Sequence, residues 1–153
     1  MARSQRRRRE RRVREAVAAR HATAPRALIG VLYDTDVIVQ ILRGRKAIVE
    51  AALDLEVTGI PTYCTAISWA EIYAGIRAGE EPMTQAFFEA RGEVVLDARV
   101  GRHAGGYLSR YARSHGVEIA DALVAAAAAT SGFHLWTLNR KHYPMTDVRF
   151  YES

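Results

Sequence analysis

Three carboxylates in this chain stand in apolar surroundings. Asp34 follows Leu28-Ile29-Gly30-Val31-Leu32-Tyr33. Glu71 lies inside Ala66-Ile67-Ser68-Trp69-Ala70-Glu71-Ile72-Tyr73-Ala74, and Asp121 precedes Ala122-Leu123-Val124 and a run of alanines. A carboxylate so placed is costly unless it is paired, hydrogen-bonded or bound to a metal. Three of them on separate elements can converge on one hard cation, and Asn139 can add an amide oxygen. The chain has one cysteine, Cys64, and its His103, His115, His134 and His142 show no metal-ligand spacing. Oxygen donors without sulfur or clustered imidazole select Mg²⁺, with Mn²⁺ able to serve in its place. Such an ion activates water and neutralises charge on a phosphodiester undergoing hydrolysis. Three carboxylates exceed the charge of one Mg²⁺, so one ion or two remain open.

Each acid also has a plain structural reading. Asp34, Thr35 or Asp36 can cap the helix that follows. Ser68-Trp69-Ala70-Glu71 fits a capping box. Asp121 can cap its alanine-rich helix. A shared site explains in addition why the flanks are so apolar.

The elements that must position these residues alternate in type. Strands are expected over 28–33, 59–65, 93–96, 134–138 and 148–151. Helices are expected over 36–42, 47–55, 67–78, 82–90, 99–115 and 119–130, the last apolar almost all round and therefore buried. Gly116 is placed to end the long helix 99–115. This rhythm predicts an α/β fold with a parallel sheet and helices on both faces. Sites in such folds lie outside the carboxyl ends of the strands. Asp34 and Asn139 fall there, and Glu71 and Asp121 near helix starts can share the same rim.

The net charge of +5 is unevenly spread. Residues 1–26 hold ten arginines and two glutamates, so residues 27–153 carry −3. The basic segment 1–26 repels itself and is expected to be disordered or a frayed helix, either an RNA-binding arm or a dispensable extension. Residues 27–153 are the expected globular domain. No apolar stretch reaches membrane-spanning length, no signal-peptide core follows the basic start, and a single cysteine forms no internal disulfide. A cytoplasmic protein is the expectation.

Four segments carry a family resemblance. Leu32-Tyr33-Asp34-Thr35-Asp36-Val37-Ile38 with Leu42-Arg43-Gly44 resembles the opening of PIN-domain toxins of the VapC type. Ser68 to Gly75, Gly116 to Ala126 and Leu135 to Pro144 are similar to the second, third and fourth motifs, in order and at matching spacing. The resemblance implies a PIN-like three-layer α/β/α sandwich with a short, mostly parallel central sheet. It also implies a Mg²⁺-dependent endoribonuclease toxin of a toxin–antitoxin system, cutting structured RNA such as tRNA or rRNA. Carried over, it makes Asp34, Glu71 and Asp121 the catalytic, metal-binding carboxylates. Thr137 becomes a hydroxyl that orients a ligand or water, and Asp36 a cap or supporting residue. It further implies a small cognate antitoxin as partner, and a homodimer. Many PIN domains are acidic where this chain has Asn139, which weakens a second metal position. Asp147 in the next loop is a weaker compensating candidate. Arg43, Arg140 and Lys141 flank the rim and are candidates to hold RNA phosphates.

Two other readings compete. Asp34-Thr35-Asp36 also resembles the D-x-D motif of haloacid-dehalogenase-type phosphatases, with Asp34 as nucleophile and Asp36 as acid/base. That family needs a later lysine and paired acids, and Lys141 and Asp121 do not supply them at suitable spacing. The other is a non-catalytic module that binds RNA or antitoxin.

Overall fold

The computed structural model describes residues 28–153. The expectations for residues 1–26 lie outside the described residues. β1 (Val31–Tyr33) leads into α1 (Thr35–Leu42) and α2 (Lys46–Val57). β2 (Thr62–Thr65) is followed by α3 (Ala66–Ala74) and α4 (Glu81–Glu89), then β3 (Gly92–Val94). α5 (Ala98–His115) and α6 (Ile119–Ser131) precede β4 (His134–Trp136), a 3₁₀ turn (Arg140–His142) and β5 (Arg149–Phe150).

The strands form one parallel sheet in the order β3-β2-β1-β4-β5. Successive residues of a strand point to opposite faces, and the two cores follow that rule. Val31, Tyr33 and Trp136 face α1 and α2, packing on Val37, Ile38, Ile48 and Leu55. Leu32 and Leu135 face α5 and α6, packing on Val100, Ala104, Tyr107 and Val124–Ala128. The three-layer α/β/α expectation therefore holds. α6 is buried as its sequence requires, and its alanines let α5 lie close. Trp69 stacks on Phe88 at 4.2 Å and Trp136 meets Tyr33 edge-on at 5.1 Å, so both tryptophans are packing residues.

Boundaries differ from expectation in instructive places. The helix expected over 67–78 ends at Ala74, because Gly75 caps it. The chain then turns through Gly79, whose φ of +89° suits only glycine. The strand expected over 93–96 stops at Val94, leaving Val95 exposed, and that over 134–138 stops at Trp136. The residues released beyond Trp136 are Thr137 and Leu138, whose polar atoms turn toward the site instead of a neighbouring strand. Gly116 ends α5 in the left-handed conformation, φ 65°, as expected.

Glycine is required by close approach at one layer of the sheet. The Tyr63 ring stacks on Phe133 at 4.1 Å between Gly30 and Gly92. A Cβ at Gly92 would sit 2.5 Å from the Tyr63 ring, and one at Gly30 2.8 Å from Phe133. Among the described residues, no helix is long and apolar enough to cross a membrane.

Candidate active site

The central strands β1 and β4 end side by side, Tyr33 pairing with Trp136. The Asp34 N–H donates to the Trp136 carbonyl at 2.9 Å, so the chain leaves both strands at one point. Asp34 then caps α1, its Oδ1 accepting the Thr35 N–H at 2.8 Å. The capping reading is thus correct for Asp34 but uses only one of its oxygens. Oδ2 accepts the hydroxyl of Tyr143 at 2.7 Å.

Asp36 lies two residues further on, within the first turn of α1. Its Oδ2 accepts the Leu138 N–H at 3.0 Å and the Thr137 hydroxyl at 3.3 Å. Thr137 Oγ1 in turn accepts the Asn139 N–H at 3.1 Å. The other Asp36 oxygen, Oδ1, is buried without a protein partner. Burial and then the negative charge of Asp34 push the Asp36 carboxyl up from 3.8 to about 6. An Asp36 committed to the β4 exit is not the free acid/base that the phosphatase reading requires.

Asp121 stands in the first turn of α6, whose N-cap is Glu118, so Asp121 is not the cap. His142 Nδ1 approaches its Oδ2 at 3.7 Å, and His142 Nε2 lies 2.9 Å from Asn139 Nδ2. Burial is the largest influence on Asp121 and raises its pKa. His142 opposes that rise and the charge of Asp34 adds to it. Burial, followed by Asp34, also pushes the Tyr143 phenol far above its usual range, with smaller contributions from Asp121 and Asp36. Asp34, Asp36 and Asp121 therefore feel one another across a single rim.

Glu71 is placed differently. It is exposed on α3 and lines a groove with Val39, Leu42 and Arg43 of α1 and Met83 of α4. The capping box expected at Ser68 and Glu71 does not form, because α3 begins at Ala66 with Thr65 as N-cap. Ser68 is fully buried, and its Oγ accepts the Thr35 hydroxyl at 3.0 Å, docking the start of α3 against the start of α1. Glu71 follows one helical turn later, on the wall beside the rim.

Among the described residues, no three His, Cys, Asp or Glu side chains gather as a ready metal cage. The donor set still suits a hard cation. Asp34 and Asp121 offer carboxylate oxygens, both repelled by like charge, and Asp36 Oδ1 is a buried acceptor lacking a donor. Burial, with the charge of Asp34 beside them, raises the pKa of Asp36 and Asp121, and a divalent ion would offset both influences.

The remaining candidates divide. Arg43 and Lys141 are exposed. Arg140 pairs with Glu152 at 3.0 Å and lies over the Phe150 ring, so a phosphate there must exchange with Glu152. Asp147 does not face the rim. It is held by the Tyr107 hydroxyl at 2.8 Å and by His103 at 3.0 Å, on α5. Sequence reasoning missed His142 and Tyr143 as site residues. Both sit inside the fourth motif, and the i,i+3 step from Asn139 to His142 was the available signal.

Fold and rim together define a class: α/β/α proteins that display carboxylates where the central strands of a parallel sheet end. The PIN domain family model matches residues 31–147. Ribonuclease VapC19 of Mycobacterium tuberculosis is 32% identical over 115 residues, covering 74% of this chain and 92% of that protein. Ribonuclease VapC10 of the same organism is 31% identical over 116 residues, covering 75% and 86%. Among solved structures, a DNA-bound VapBC from Salmonella typhimurium superposes with a TM-score of 0.68 at 16% identity, covering 81% of this chain and 98% of that one. FitAcB from Neisseria gonorrhoeae gives 0.60 at 26% identity, covering 80% and 96%. The chain belongs to the PIN-domain family, on its VapC branch.

Proposed function

We propose that this protein is the toxin of a toxin–antitoxin pair, a Mg²⁺-dependent endoribonuclease acting on structured RNA such as tRNA or rRNA. The observation that carries this reading is that Asp34, at the exit of β1, and Asp121, in the first turn of α6, face one rim and repel each other. Two curated relatives named as ribonucleases support the chemistry, and solved toxin–antitoxin assemblies of the same fold support the partner.

Asp34, Asp121 and Glu71 would hold the ion, with the Asn139 amide oxygen as a further donor. Bound there, a Mg²⁺ or Mn²⁺ ion supplies water activation and neutralisation of charge on the phosphate. The chain's own residues supply the frame. Thr35 and Tyr143 fix the Asp34 carboxylate, and Asp36 fixes the Thr137–Asn139 segment by its main-chain and hydroxyl contacts. Arg43 and Lys141 lie on the approaches and hold the RNA backbone, while Arg140 joins them by releasing Glu152. The proposed partners are a cognate antitoxin, the RNA substrate and a second copy of the chain, in the cytoplasm.

The test is RNA 5′-end sequencing from bacterial cells after induced expression of the full chain, wild type beside Asp121→Asn. New ends at defined sites with wild type alone are expected. Equal cleavage by the variant sinks the carboxylate mechanism, and binding of RNA without new ends favours the non-catalytic module.

A further inference from the structure

We infer that Tyr143 is a positioning residue for the metal site, its hydroxyl fixing the plane of the Asp34 carboxylate. This rests on the metal-dependent reading above. Tyr143 is buried in the α5/α6 core among Met145, Val148 and the alanines of α6. Only its hydroxyl leaves that core, and it meets Asp34 Oδ2 at 2.7 Å. The opposite oxygen, Oδ1, is held by the Thr35 N–H at 2.8 Å. Two donors from two segments grip the two oxygens, so the carboxylate cannot turn about its Cβ–Cγ bond without breaking one of them. The grip is neutral: a phenol orients the carboxylate and leaves its negative charge for a cation. A rigid ring gives the hydroxyl little freedom, whereas a lysine here would neutralise the ligand it aims. Phenylalanine would fill the same space in the core, so packing alone gives the hydroxyl no role. Hydrogen-bonding partners of metal ligands commonly matter about 10–100-fold in metal affinity.

The test uses the full chain as wild type, Tyr143→Phe and Asp34→Asn. MnCl₂ is titrated against each and free Mn²⁺ is read by electron paramagnetic resonance, with thermal melts in EDTA alongside. Asp34→Asn should lose Mn²⁺ binding. Tyr143→Phe should bind roughly 10-fold more weakly or worse, with its melting temperature in EDTA lowered by no more than about 2–4 °C. Wild-type affinity in Tyr143→Phe overturns the positioning role and leaves the metal reading standing. A wild type that binds no Mn²⁺ overturns both. A second measurement needs no variant of Tyr143 to fold. In wild-type protein the Tyr143 hydroxyl proton should give a slowly exchanging downfield NMR signal that shifts on adding MgCl₂. A signal indifferent to Mg²⁺ overturns the inference.

Discussion

Asp36 Oδ2 accepts the backbone N–H of Leu138 at 3.0 Å, tying the start of α1 to the exit of β4 across 102 residues of sequence. This contact, not the helix cap, is the structural work of Asp36. Asn can replace the acceptor and Ala cannot. Asp36→Ala should therefore be less stable than Asp36→Asn by about 1 kcal/mol, the net value of one such hydrogen bond. Chemical denaturation of the two variants measures the difference. Equal stabilities would mean that Leu138 is held by something else.

The same residue predicts a pH dependence. Burial, with Asp34 beside it, raises the Asp36 carboxyl from 3.8 to about 6. The folded chain thus holds this proton more tightly than the unfolded chain. Between those two values the native state carries more protons, so its stability falls as pH rises. The contribution is fully present below 3.8 and is lost by pH values above 6. Asp36→Asn should flatten that part of the profile and melt higher than wild type at pH 7. Parallel melting curves for the two proteins from pH 4 to 7 would remove Asp36 as the source.

Asp121 carries a raised pKa from burial, with repulsion from Asp34. Its neutral isostere should relieve both. Asp121→Asn in EDTA at pH 7 should melt above wild type, with about 2–4 °C corresponding to each kcal/mol in a chain of this size. Adding Mg²⁺ should reverse the order. A ligand at 100 times its dissociation constant stabilises by about 2.7 kcal/mol, and only the wild type should gain it. Differential scanning calorimetry with and without MgCl₂ reads both effects.

Much of this site was legible in the sequence because burial and charge conflict openly at Asp34 and Asp121. A carboxylate beside a buried strand or an alanine-rich helix leaves few ordinary explanations. The parallel sheet was legible for a similar reason, since Val31–Tyr33 and Leu135–Trp136 are apolar on both faces. Ser68 misled, because its spacing to Glu71 satisfies a capping rule while Thr65 occupies the actual cap. Local sequence does not say where a helix begins when the strand before it runs directly into it. Tyr143 and His142 were hidden for another reason. Their partners, Asp34 and Asp121, lie 109 residues and 21 residues away, and only the sheet order brings them together.

Ser68 offers a direct check on the contact that replaced the capping box. Its hydroxyl and that of Thr35 should be energetically coupled, as contacting residues are by roughly 0.5 kcal/mol or more. A double-mutant cycle of Thr35→Val and Ser68→Ala, read by denaturation, gives the coupling. Strict additivity would show that the two helices are docked by packing alone.

Gly92 predicts the largest loss of stability away from the site. A methyl group there meets the Tyr63 ring at 2.5 Å, and that ring cannot retreat because Phe133 stacks behind it. Gly92→Ala should cost about 1–3 kcal/mol, as overpacking does. The double variant with Tyr63→Leu should recover part of it. A neutral single substitution would mean that the Tyr63–Phe133 stack can slide.

The bond between Tyr143 and Asp34 joins residues 109 positions apart. At a synthesis rate of about 5–20 residues per second, Asp34 waits roughly 5–20 s on the ribosome before Tyr143 has even been made. For most of that interval β1 also lacks β4, its neighbour on one side. The rim is therefore among the last parts of the molecule to exist. A nascent chain of this topology holds Asp34 without its Tyr143 partner until nearly all of the chain has been made.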